Sequence, residues 1–108
     1  MMTNDLNHVN LIGKVSSLPK IMELENGKRI AKFTLSTKEQ YLDADGKTKT
    51  RRNWHMLSAW GRWVKVLEEL GEVGSELAIE GKLVTRFYQT NGQRKMVSEV
   101  EVNDIVIM

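Results

Sequence analysis

The chain of 108 residues has no cysteine. Disulfides, thiol nucleophiles and zinc–thiolate sites are therefore excluded, and a reducing compartment suits it. No apolar run approaches the roughly 20 residues of a membrane-spanning helix. The opening "MMTNDLNHVN" has no basic flank leading into an apolar stretch, so it does not read as a secretory signal. Histidines number only two, His8 and His55, far apart in sequence. There is no nucleophile motif and no phosphate-cradling glycine loop. "DADGKTKTRRN" superficially suggests a calcium loop. Its Gly46 falls fourth rather than sixth, and cations replace the later ligands. An enzyme is thus the least supported class, and no catalytic residue, metal or cofactor is expected.

What is present is an ordinary globular composition, 41% hydrophobic and 28% charged. That argues against general disorder and for one domain. Net charge is only +2, but it is unevenly spread. "KTKTRR" (Lys47 to Arg52) holds four cations and no acid, whereas the last ten residues hold three acids and no base. Such a basic stretch is either a nucleic-acid footprint or a solvated hairpin tip, and charge alone favours the tip.

Apolar residues recur mostly with period two, between turn signals. "HVNLIGKV" reads as a strand with Val9, Leu11 and Val15 on one side, ended by Pro19. "RIAKFTLSTKEQY" puts Ala31, Phe33, Leu35 and Thr37 in phase. "RNWHMLSAW" is a third strand. "SELAIEGKLVTRFY" aligns Leu77, Ile79, Leu83 and Phe87, and "KMVSEVEVNDIVIM" closes the chain. "ENGK", "DADG" and "TNGQ" are turns. Between the third and fourth strands the period changes. Trp63, Val66, Leu67 and Leu70 mark one helix face, ended by Gly71 and Gly74. The expected fold is all-β with one helix, a five-stranded OB-fold barrel with its helix between strands 3 and 4. An SH3-like barrel or small sandwich is the alternative. Residues 1–5 are expected to be a flexible lead and residues 6–108 the domain.

Aromatics are scarce, 6% of residues, yet all three tryptophans fall in "RNWHMLSAWGRW". Strand alternation puts Arg52, Trp54, Met56, Ser58 and Trp60 on one face, and Asn53, His55, Leu57 and Ala59 on the other. The second face suits a barrel interior or a subunit contact. Trp63 keeps phase with the helix and reads as core. Trp54 and Trp60 read equally as buried under a loop or at an oligomer interface and as ligand contacts. Tyr41 and Tyr88 each end a strand beside basic residues. Interleaved aromatic and basic residues on one surface suit single-stranded nucleic acid.

These segments resemble the bacterial single-stranded DNA-binding protein (SSB) family. "HVNLIGKV" and "NGKRIAKFTLST" resemble its opening strands. "NWHMLSAWGR" is similar to its "EWHRVVLFGK" type motif, and "GSELAIEGKLVTRFY" to its "GSQVYIEGRLRTRKW" type motif. The resemblance spans residues 6 to 108. It implies a homotetramer that wraps single-stranded DNA with little sequence preference, in the cytoplasm at the nucleoid, during replication, recombination and repair. It further implies base stacking on Tyr41, Trp54, Trp60 and Tyr88, phosphate contacts from Lys49, Arg51, Arg52, Arg62 and Arg86, and a subunit contact at His55. Met56, Val84, Glu72 and Val73 stand where relatives often carry cations, so fewer phosphate contacts are expected. Relatives usually continue into a flexible linker with an acidic tip that recruits proteins. The sequence ends at Met108, so tail-mediated partners are not expected of it. A dimeric replication-restart OB protein is the alternative reading, and a pure interaction module a third.

Overall fold

The computed structural model describes residues 5–108. Apart from Asp5, the expected flexible lead lies outside the described residues. Six strands and one helix follow in the order β1 (Val9–Val15), β2 (Lys20–Glu23), β3 (Arg29–Leu42), β4 (Thr48–Trp60), α1 (Arg62–Leu70), β5 (Glu76–Thr90) and β6 (Gln93–Ile107). The strand order is β1-β5-β6-β4-β3-β2, and a β1–β3 pairing closes the first five into a barrel. All pairings are antiparallel except β4–β6. This is the OB arrangement expected from the pattern. Pro19 separates the short β2 from β1, so the helix falls between β4 and β5.

The period-two stripes become the interior. Ala31, Phe33 and Leu35 of β3 are buried, as are Leu57 and Ala59 of β4 and Leu77 and Ile79 of β5. Val15, Val100, Val102 and Ile105 join them. Each fully buried aliphatic side chain of this size contributes about 1.5–3 kcal/mol. Closure requires β1 to approach β3 closely at Gly13. A Cβ there would lie 2.2 Å from the Ser36 carbonyl oxygen.

Two expectations need correction. Of the helix face, Leu67 is buried but Leu70 is 50% exposed, and Val64 is buried in its place. The helix is rotated so that Val64 and Leu67 enter the core, with Trp63 and Val66 half-buried beside them. Leu70 is its last residue. On β5, Leu83 and Phe87 share the strand phase of Leu77 and Ile79 but are half-exposed. Fifteen residues of strand reach about 50 Å, longer than a small barrel is tall. The β5–β6 hairpin therefore projects from the barrel as an arm, turned at Asn91–Gly92, both at positive φ. The β3–β4 hairpin projects likewise, and the longest dimension of the molecule is 54 Å.

Candidate nucleic-acid interface

The β3–β4 register fixes which side chains share a face. Lys38 lies opposite Arg52, Ser36 opposite Trp54, Thr34 opposite Met56, and Lys32 opposite Ser58. Directly opposed residues point the same way, so these form one outer surface of the barrel. Trp54 is 65% exposed on it. Trp60 ends the same row, half-buried, and lines a groove of about 560 Å³ with Lys28, Arg29, Gly61, Arg86, Glu101 and Val102. Tyr88 reaches this surface from β5. Its hydroxyl accepts a hydrogen bond from Lys32 Nζ at 2.5 Å. Trp54, Trp60 and Tyr88 are thus brought together on one side.

Tyr41 is not. It is in phase with Phe33 and Leu35 and lies opposite Lys49, so it occupies the other face of the hairpin arm. The Arg51 guanidinium lies 4.2 Å from its ring centre. The expected single aromatic surface is therefore divided, with Tyr41 on the other face of the β3–β4 hairpin.

The expected phosphate contacts differ in freedom. Arg52 has no carboxylate within ion-pair distance among the described residues, and it shares a groove with Lys14, Lys38 and Glu76. Lys49 lies 3.4 Å from Asp43 and Arg51 2.6 Å from Glu39. Arg62 stacks on Trp63 at 4.5 Å. Arg86 is bonded to Glu99, and its second nitrogen lies 3.2 Å from Glu101. Lys32 and Lys38 also lie on this surface, out of phase with the core stripe of β3. Strand phase alone gives that placement from the sequence.

The tip of the β3–β4 hairpin is a side-chain-stabilised turn. Asp43 accepts the backbone N–H groups of Lys47 and Asp45, each at 2.9 Å. The Lys47 N–H above all, opposed by desolvation and aided by the Asp45 N–H and the Lys49 ammonium, holds the Asp43 carboxyl below its usual range. A depressed folded pKa means the turn gains from ionised Asp43 above the ordinary carboxylate range. That gain is lost as pH falls through the lowered value.

His55 and Trp63 lie off the aromatic surface. His55 is half-buried on the interior side of β4, its Nε2 2.9 Å from Thr37 Oγ1. Trp63 packs against the core, and its indole N–H donates to the Asn103 carbonyl at 3.2 Å. Trp63→Ala is expected to cost about 2–3 kcal/mol, below the 3–5 of a fully buried aromatic. Thermal unfolding checks this.

A closed OB barrel bearing aromatic residues among cations on one outer surface has the features of a single-strand-binding module. Residues 6–108 match the family model described as the single-strand binding protein family. The chain belongs to that family. It is 32% identical to single-stranded DNA-binding protein 1 of Chlorobaculum tepidum over 99% of its own length and 67% of that protein's. Its fold is similar to that of the Plasmodium falciparum SSB solved in complex with ssDNA, with a TM-score of 0.87 and 29% identity over 100% of this chain and 99% of that one. A single-stranded DNA-binding protein from Thermus aquaticus gives a TM-score of 0.84 at 25% identity, over 95% of this chain and 50% of that one. No helix among the described residues is long and apolar enough to cross a membrane.

Proposed function

We propose that this chain binds single-stranded DNA with little sequence preference, in a non-catalytic role that holds strands open during replication, recombination and repair. The observation that carries the reading is Trp54, a 65% exposed indole on a face with Arg52 and Lys38. A ring of that size held in water beside free cations fits a nucleobase, with phosphate at the flanking cations. Bases stack on Trp54, Trp60 and Tyr88, and the strand passes over the edge of the arm to reach Tyr41. Arg52 meets phosphate directly. Arg62, Lys49 and Arg51 join once they release their present partners, and Arg86 once it releases Glu101.

The chain acts as a homo-oligomer, a tetramer by family resemblance. Ile12, Ala78 and Val106 lie in register on the outer face of β1, β5 and β6, where Ile12 is 62% and Val106 54% exposed. This apolar row and half-buried His55 are the proposed subunit contacts. The expected location is the cytoplasm, at the nucleoid.

Light scattering during an oligo-dT titration tests this reading. A tetramer that takes up oligo-dT at low salt is expected. Affinity should fall with salt, at a log–log slope of about −0.7 per neutralised phosphate. A dimer with weak affinity would instead favour the replication-restart reading.

A further inference from the structure

Glu99 is the one ionisable side chain buried among the described residues, at 2% exposure. On β6 it is out of phase with the core residues Val100 and Val102, so it points away from the barrel interior. One carboxylate oxygen accepts from Arg86 Nε, and the other lies 3.7 Å from Lys32 Nζ. Lys32 in turn donates to the Tyr88 hydroxyl. A buried carboxylate left without partners would be strongly unfavourable, so Glu99 needs both cations. It holds Arg86 in place, and through Lys32 it holds the Tyr88 ring.

Glu101 is different. Its side chain is 29% exposed, and it takes only Nη2 of Arg86, at 3.2 Å. Arg86 and Glu101 both line the groove beside Trp60. The Nη2 group of Arg86 in this groove is therefore already occupied by a carboxylate. Phosphate and carboxylate both accept from such a group, so the two compete for one donor.

We propose that Glu101 is an internal competitor for phosphate at Arg86 that sets the affinity for single-stranded DNA, while Glu99 is a positioning residue for Arg86, Lys32 and Tyr88. The proposal rests on the single-stranded DNA reading above. In the free protein the cluster holds two cations and two carboxylates, and Arg86 carries its own anion instead of a releasable counterion. Binding in the groove beside Trp60 exchanges Glu101 for phosphate and returns Glu101 to water.

The test compares Glu101→Gln with wild type in oligo-dT titrations across a salt series. Glu69→Gln serves as a control of equal charge change, because Glu69 is an exposed helix carboxylate away from the aromatic surface. Glu101→Gln is expected to tighten binding about fivefold at low salt, the scale of one exposed ion pair. Its salt slope should steepen by about 0.7, one further phosphate neutralised. Glu69→Gln should change neither by a comparable amount. Equal effects of the two variants would overturn the proposal in favour of general charge. An unchanged affinity and slope for Glu101→Gln, with wild type binding normally, would overturn it alone. Failure of every form to bind at low salt would overturn it together with the reading it rests on. Glu99→Gln separates the two roles. It should weaken binding, and tightening there equal to that of Glu101→Gln would contradict the positioning role.

Discussion

Replacing Trp54 and Trp60 together by alanine is expected to weaken oligo-dT binding by about 2–6 kcal/mol, at 1–3 kcal/mol for each stacked base. The two positions lie six residues apart on one strand face, about 20 Å. Sites so far apart lose affinity nearly additively, so each single variant should lose about 5- to 150-fold. Fluorescence quenching should largely disappear in the double variant, since Trp63 alone remains and it packs against the core. The loss should not come from unfolding. Trp54 is mostly in water, and Trp60 is only half-buried. Circular dichroism and thermal unfolding of the double variant check this directly. Unchanged affinity in a folded double variant would sink the stacking model.

The second large effect is structural. Gly13→Val is expected to destabilise the barrel by about 1–3 kcal/mol or more, the range for overpacking. The added Cβ meets a backbone oxygen of Ser36, with Thr37 Cγ2 also only 3.1 Å away. Backbone cannot move aside as a flexible side chain can. β1 would have to leave β3, where Lys14 pairs with Ser36 and Val15 with Leu35. That pairing is what closes the sheet. A fall in Tm of roughly 5–20 °C follows from about 4–8 °C per kcal/mol in a domain of this size. Lys14→Ala, an exposed change on the same strand, should stay within about 0.5 kcal/mol. Equal melting of Gly13→Val and wild type would show that closure tolerates a side chain there.

Much of this was legible in the sequence because it depends on alternation within one segment. Ala31, Phe33 and Leu35 form a stripe at period two, and that stripe is the core face of β3. The same counting put Trp54 and Trp60 on the face opposite Leu57 and Ala59, which the register bears out. Properties that depend on two segments were not legible. Tyr41 is divided from Trp54 by the register across a hairpin, and counting along either strand alone cannot give that register. Leu83 and Phe87 have core phase, but the arm has left the barrel by then, and strand phase carries no information on where a core ends. Val64 replaces Leu70 because the helix docks with a particular rotation. The pairing of Arg86 with carboxylates is invisible in the sequence because Glu99 and Glu101 lie 13 and 15 residues away. They come beside it only through the pairing of β5 with β6.

The central claim is that a single strand of DNA lies against the surface bearing Trp54 and Trp60. Titrating the intact protein with oligo-dT at low salt, while following tryptophan fluorescence, tests it most directly. Saturable quenching that recedes as salt is added, and that duplex DNA of equal length does not reproduce, is the predicted result. Fluorescence unmoved by oligo-dT at low salt, or quenched equally by duplex, would contradict the account.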